Sequence, residues 1–267
     1  MRLSVRWPEH PIALYNKHLM IELPRRSAIE ILPWDSRFFG CRIAKYKSTA
    51  LTPTLAQTAI KLCLARRVKC LYYLASSNDS ASIACAETHD FHLVDIRVTL
   101  NRDVNLSIAH RKALPQALTF RSANRTDTSQ LQRLARSLFP NSRFAVDPGF
   151  LPDAHEKLFS TWIAKSVEGH FDDWVGIAEC RGRLAGFISC RRAQRSSGAI
   201  GLIGVAPAFR RRGIGQALIH QGLDWFRKHS IRSVSVVTQG RALSAQRLYQ
   251  ICGFRTGQVD LWYHKWF

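Results

Sequence analysis

The sequence predicts an α/β protein built on a mixed sheet (an α+β arrangement of strand directions) with helices on both faces, preceded by a smaller α/β region. Three observations carry this expectation. Strand and helix periodicities alternate from about Leu118 to the end; a continuous apolar segment breaks into a turn rich in glycine and arginine over 205–215; and an upstream strand–helix–strand pattern matches a later one at a shift of 163 residues. With 267 residues, 46% of them hydrophobic, the chain is long enough for two cores. The expected division is a basic N-terminal extension over 1–27, an N-terminal α/β domain over 28–115 and a larger domain over 116–267.

In the larger domain, the stretch around TFRS (119–122) reads as a strand, and Asp127 or Thr128 reads as the N-cap of a helix whose apolar positions are Leu131, Leu134, Ala135 and Leu138. Pro140 ends it, and SRFAVDPGF (142–150) reads as a loop. A second helix over His155–Val167 places Leu158, Trp162, Ile163 and Val167 on one face. Strands follow over Asp173–Glu179 and Leu184–Arg192, joined at the turn signal Arg181-Gly182. AIGLIGV (199–205) is apolar throughout, as suits the middle of a sheet. Helix Gly213–His229, strand Ser233–Thr238, helix Leu243–Cys252 and strand Val259–His264 complete the order β-α-α-β-β-β-α-β-α-β.

The N-terminal region repeats part of this pattern. The shift of 163 residues aligns Val68 with Ile231, Leu71 with Val234, Tyr73 with Val236, Phe91 with Phe254 and Val98 with Leu261. Two ordinary β-α-β patterns also converge in this way, so both a degenerate half-repeat and coincidence stay open. The upstream copy has no glycine-rich turn, and Ala86 stands where the later copy has Tyr249. On the half-repeat reading, this region is structural or serves a second substrate.

Composition excludes several function classes. Arg, Lys, Asp or His interrupts every apolar run before the roughly 20 residues of a membrane span, so membrane insertion is not expected. Residues 1–27 mix Pro, His and Arg into what would be the apolar stretch of a signal peptide, which argues against secretion. Seven cysteines occur without a C-x-x-C pair or a Cys/His cluster, so no metal site is expected, and reduced thiols point to the cytoplasm. The formal charge of +20 favours anionic partners. Its arginines and lysines are dispersed, with no basic tail, aromatic–basic stripe or finger, which argues against nucleic acid. Self-association into a homodimer is left open.

The chemistry concentrates in VAPAFRRRGIG (205–215). A buried strand runs into a helix whose entry carries Gly213 and Gly215, with Arg210, Arg211 and Arg212 just ahead. Glycine allows close backbone approach, first-turn N–H groups have no intrahelical partner, and the helix dipole and arginines all favour a bound anion. A dinucleotide-binding βαβ unit would need a strand-borne acid after the turn and a parallel sheet, neither of which is present in the pattern.

This segment resembles the cofactor signature [R/Q]-x-x-G-x-[G/A] of the GNAT acyltransferase superfamily, matched by Arg210, Gly213 and Gly215. The resemblance implies the GNAT fold over about 118–267 and acetyl-CoA as co-substrate, with no metal. It implies that the backbone around Gly204, Val205, Ala206, Arg210, Arg211, Arg212, Gly213, Ile214 and Gly215 holds the pantetheine arm and pyrophosphate. The segment RLYQICGF (247–254) is similar to the family's Y-x-x-x-G-F ending, which implies Tyr249 as general acid to the departing thiolate. Many relatives carry Asn seven residues before that tyrosine, where this chain has Ala242; Gln239 or Arg241 is the expected replacement.

PNSRF (140–144), VVTQ (236–239), VDLWYHK (259–265) and WDSRFFG (34–40) also look like the dTDP-fucosamine acetyltransferases. That likeness implies a small-molecule amine acceptor, a nucleotide-linked amino sugar on the way to a surface polysaccharide, with Arg143 and Phe144 on the acceptor side. The alternatives are another GNAT acceptor (a protein N-terminus, polyamine or antibiotic) and a non-catalytic CoA or nucleic-acid binder. Direct transfer in a ternary complex is expected. For the base, Glu179, Asp173, His155 and Asp147 are candidates beside a water chain, and no cysteine has a context that would activate it.

Overall fold

The structure, a computed structural model, describes residues 27–106, 114–193 and 196–267. The expected basic extension over 1–27 therefore lies, except for Ser27, outside the described residues. In chain order the elements are β1 (Ile29–Ile31), α1 (Pro33–Phe39), β2 (Ile43–Tyr46), α2 (Pro53–Ala65), β3 (Cys70–Ser76), α3 (Ser80–Thr88), β4 (His92–Asp103), β5 (Leu118–Ser122), α4 (Thr128–Arg136), α5 (Arg143–Val146), α6 (Ala154–Val167), β6 (Trp174–Cys180), β7 (Arg183–Arg192), β8 (Ser197–Val205), α7 (Ile214–Lys228), β9 (Ser233–Gln239), α8 (Leu243–Ile251) and β10 (Arg255–Trp266). Packing divides the described residues into two compact units, one reaching to Ile96 and including Val259–Phe267, the other lying within Arg97–Gln258. The division falls after Ile96 rather than at the expected 115/116, and the first unit takes in the distant strand residues Val259–Phe267.

In the first unit β1 pairs antiparallel with β2, β2 runs parallel to β3, and β10 pairs antiparallel with β3 from Asp260↔Ser76 to Trp266↔Cys70. Pro53 at the start of α2 suits a position whose N–H has no helical acceptor, and Thr52 caps the helix by accepting the Leu55 N–H at 3.4 Å. Asp79 does the same for α3 through the Ser82 N–H at 3.0 Å. The small α2 residues Ala56, Ala59 and Cys63 let the helix lie close on a core of Tyr46, Leu71, Tyr73, Phe91 and Tyr263.

The second unit holds the strand order β4-β9-β8-β7-β6-β5, antiparallel except for the parallel pair β8–β9. Helix α7 covers one face through Leu218, Ile219, Leu223 and Phe226, which join Ile188, Cys190, Ile200, Val234 and Val236. A ring the size of Phe226 stabilises the fold by about 1.5–3 kcal/mol when fully buried. On the other face, Leu138 at the end of α4 lies over Gly204, and Trp162 of α6 reaches Asp172. The mixed sheet with helices on both faces is as the sequence predicts.

Two local expectations are corrected and one is extended. The segment 142–150 is not all loop, because Arg143–Val146 form a helical turn closed by Ala145 N–H and Val146 N–H donating to the Ser142 carbonyl. Burial of Phe144, edge-on to Phe150 at 5.3 Å, holds that turn. Helix α4 takes Asp127, one of the two expected candidates, as its N-cap, and a 3-10 turn over Arg125–Asp127 precedes it, capped by Asn124, which accepts the Thr126 N–H while the Asp127 carboxylate accepts the Asn124 N–H at 2.8 Å. The last strand runs over Arg255–Trp266 rather than Val259–His264, since its C-terminal part is paired along the full length of β3.

Candidate active site

Two adjacent parallel strands open the site. β8 and β9 pair from Ser197↔Ser233 to Ile200↔Val236, and beyond that they form no further pairs among the described residues although β8 continues to Val205 and β9 to Gln239. On its other side β8 stays bonded to β7, with a bulge between the pairs Ile188↔Ile203 and Cys190↔Ile200. The buried Ser189 hydroxyl takes the Leu202 N–H at 2.8 Å, replacing a ladder partner. Arg97 of β4 pairs with Gln239 and holds β9 from its far side. The strands are thus each anchored outward and separated inward, which leaves a groove with backbone groups along its walls.

The groove runs toward the turn that carries the arginines. Gly204 pairs with Phe187 and Val205 with Gly186, and Ala206 donates its N–H to the Ala185 carbonyl at 2.9 Å. A 3-10 turn over Pro207–Phe209 follows, and Arg210 Nε donates back to the Val205 carbonyl at 3.2 Å. Arg210, Arg211 and Arg212 are exposed. Gly213 caps α7 at φ 77°, a conformation that favours glycine, with no side chain in the capping position. Ile214 is buried and roots the helix start, while a methyl group on Gly215 would meet Leu248 of α8 at 3.0 Å. The first turn of α7 therefore abuts α8, and its free N–H groups with three arginines beside them form an environment for phosphate.

Tyr249 sits on α8, 4% exposed, with its ring 5.9 Å from Phe254. Among the described residues its hydroxyl has no hydrogen-bond partner. Burial pushes that hydroxyl well above the usual tyrosine range, so it keeps its proton at neutral pH. The far end of α8 is held by Arg102 of β4, whose guanidinium donates to the Cys252 carbonyl. At the near end, Ala242 makes no side-chain cap. Gln246 holds that turn instead, its amide donating to the Gln239 carbonyl at 3.0 Å and the Gly240 carbonyl at 2.9 Å. Gln239 thus enters the turn through its main chain, and Arg241 is exposed. Nothing in the sequence marked Gln246 except its place on the helix after Ala242.

Arg143 is 3% exposed, with its guanidinium 4.6 Å from the ring of the buried Phe144. It is not a solvated loop arginine. Of the four candidate bases, Glu179 is ion-paired to Arg121 at 2.7 Å, and Asp173 accepts the Arg192 N–H at 2.6 Å and its guanidinium at 3.0 Å. Asp147 is buried and caps its own turn through the Gly149 N–H at 2.9 Å. His155 buries its Nδ1 without a partner among the described residues. No group of three His, Cys, Asp or Glu suited to a metal occurs among the described residues, and no described helix is long and apolar enough to cross a membrane.

Residues 131–254 match the model of the Acetyltransferase (GNAT) family. The chain is similar to a dTDP-fucosamine acetyltransferase of Escherichia coli O6:H1 (strain CFT073), at 28% identity over 91% of this chain and 100% of that one. It is similar to the spore coat polysaccharide biosynthesis protein SpsD of Bacillus subtilis (strain 168), at 27% identity over 52% of this chain and 48% of that one. Its fold resembles the crystal structure of a GCN5-related N-acetyltransferase from Sphaerobacter thermophilus, with TM-score 0.63, 15% identity and coverage of 89% and 76% of the two chains. Enzymes of the GNAT family take acetyl-CoA as acyl donor. The splayed strands, the glycine turn and the family match together establish that this chain carries a GNAT acetyltransferase domain, that of an acyl-CoA-dependent N-acetyltransferase.

Proposed function

We propose that the protein transfers the acetyl group of acetyl-CoA to the amino group of a nucleotide-linked amino sugar of the dTDP-fucosamine type, in the cytoplasm. The observation that carries the transfer is the loss of pairing between β8 and β9 after Ile200↔Val236, which opens a groove along Gly204–Ala206 toward the αL turn at Gly213. In this reading the pantetheine arm lies along β8, the pyrophosphate meets the α7 N-terminus, and Arg210, Arg211 and Arg212 supply counter-charge. The amine attacks the thioester carbonyl directly. Backbone N–H groups of the splayed strand meet the oxyanion, and Tyr249 gives its proton to the leaving sulfur.

The nucleotide sugar rests on the relative matched over its entire length, and the charge of +20 suits two dianionic ligands. Arg143 and Phe144 line the acceptor side, so Arg143→Ala is expected to raise the acceptor KM while leaving acetyl-CoA affinity in place. Residues 116–267 perform the chemistry and residues 28–115 support it. The cysteines, all free among the described residues, fit a reducing compartment.

The test is free-thiol release from acetyl-CoA across a panel of nucleotide amino sugars. Release that depends on a dTDP-linked 4-amino sugar is expected. Release with a peptide N-terminus, a polyamine or an antibiotic, and with none of the sugars, would transfer the assignment to another acceptor class.

A further inference from the structure

We propose that Asp172 accepts the proton that the acceptor amine gives up, an inference that rests on the acetyl-transfer reading of the splayed groove. Asp172 precedes β6 and is 2% exposed. One oxygen is committed to α6: Oδ2 accepts the Trp162 indole N–H at 3.1 Å and the Ser166 hydroxyl at 2.6 Å. Its other oxygen, Oδ1, has no hydrogen-bond partner among the described residues. Arg191 Nη1 stands 3.9 Å from Oδ1, beyond hydrogen-bond reach, and is itself without a partner there. A purely structural anchor needs Oδ2 alone. Leaving the second oxygen of a buried carboxyl unfilled is costly, and a donor arriving at that point relieves the cost.

The position of the free oxygen connects it with the groove. A methyl group on Gly201 would meet Oδ1 at 2.5 Å and Oδ2 at 2.6 Å, so the carboxyl lies directly on the backbone of that residue. Gly201 is the first residue of β8 past the last pair with β9, Ile200↔Val236. Asp172 therefore stands at the closed end of the splay, opposite the end where the helix turn would hold phosphate. Arginines hydrogen-bond both Glu179 and Asp173, whereas Arg191 meets Asp172 only as an ion pair at 3.9 Å. In the step, the amine nitrogen forms a bond to the thioester carbonyl carbon and the C–S bond breaks. The N–H proton passes to Asp172 Oδ1 and the sulfur takes the proton of Tyr249; once amide and CoA thiol leave, water entering the vacated groove takes the proton from Asp172 and returns one to Tyr249.

Asp172→Asn keeps an oxygen for Trp162 and Ser166 and removes the proton acceptor. Thiol release from acetyl-CoA, both with an amine and with water as the only acceptor, is expected to fall by about 10²-fold or more. Acetyl-CoA affinity is expected to stay within about twofold. The double variant Trp162→Phe/Ser166→Ala strips the anchor and keeps the carboxyl, and should stay within about threefold of wild-type turnover below its melting temperature. A structural role predicts the reverse, with the double variant losing as much as Asp172→Asn.

Release in water alone makes the result independent of the acceptor. If Asp172→Asn leaves it unchanged the proposal is overturned, whereas a wild type that ignores every sugar overturns only the acceptor assignment. Should Asp172→Asn not fold, Gly201→Ala displaces the carboxyl by its methyl group and decides the matter. Lost turnover with intact acetyl-CoA affinity supports the proposal, and intact turnover rejects it.

Discussion

Tyr249 joins a ring buried in the core with a hydroxyl that has no hydrogen-bond partner among the described residues. Tyr249→Phe keeps the ring against Phe254, so acetyl-CoA binding and melting temperature should stay close to wild type while turnover falls by roughly 10²-fold. Retention of more than about half the turnover, where chemistry limits the rate, would assign the proton to water. Gly213 is constrained by backbone rather than contacts. A valine there is forced to φ 77° at the turn proposed to hold phosphate, and isothermal titration should show acetyl-CoA affinity weakened by about tenfold, or 1.4 kcal/mol. Both residues were legible in the sequence because each sits in a short motif. Gln246 and Asp172 were not, since their partners are the Gln239 and Gly240 carbonyls in one case and Trp162, Ser166 and Gly201 in the other, and only folding assembles these.

At the scale of elements, the entry to α4 shows how a cap and a sheet edge share one carboxyl. Asp127 closes the capping box on Asn124 and also accepts two N–H donors from Arg121 of β5, each at 2.8 Å, while Arg121 bridges to Glu179 of β6. The Arg121 guanidinium holds the Asp127 carboxyl below the usual range. A depressed folded value means that the carboxylate stabilises the fold above its unfolded value near 3.9, and that this is lost as pH falls through the lower folded value. Asp127→Asn should therefore lower the melting temperature at pH 7, with the gap closing as pH is taken from about 4 toward 2. A gap that does not change with pH would show that the cap, not the charge, is what matters. The sequence placed α4 and its cap Asp127 correctly but not the 3-10 turn ahead of it, because a three-residue turn capped by Asn124 has no periodicity to read. Likewise the α5 turn was hidden, since a four-residue helix held by Phe144 and Phe150 has no periodicity to read.

Across the whole molecule, the pattern shifted by 163 residues is matched element by element: β3 and β9, α3 and α8, and β4 and β10 begin and end at corresponding positions. The main-chain bond from Phe91 to the Ala86 carbonyl reappears as the bond from Phe254 to the Tyr249 carbonyl. Yet the closing strands are exchanged. The strand that follows α8 pairs with β3 in the first unit, and the strand that follows α3 pairs with β9 in the second. Ending the chain after Gln258 should consequently expose the amides of Cys70–Ser76 to rapid hydrogen exchange, because β3 loses its β10 neighbour; unchanged protection would show that the pairing contributes nothing. In the first unit Tyr73, in the place of Val236, donates its hydroxyl to the Thr49 carbonyl at 2.6 Å and ties down the segment entering α2. By itself the sequence determined the element order and marked the glycine–arginine turn and Tyr249 as site candidates, since periodicity and motifs are local properties of neighbouring residues. Strand exchange, the end of pairing between β8 and β9, and the carboxyl at Gly201 were decided only by tertiary structure, because each depends on which distant backbone a residue meets, and spacing along the chain carries no record of that.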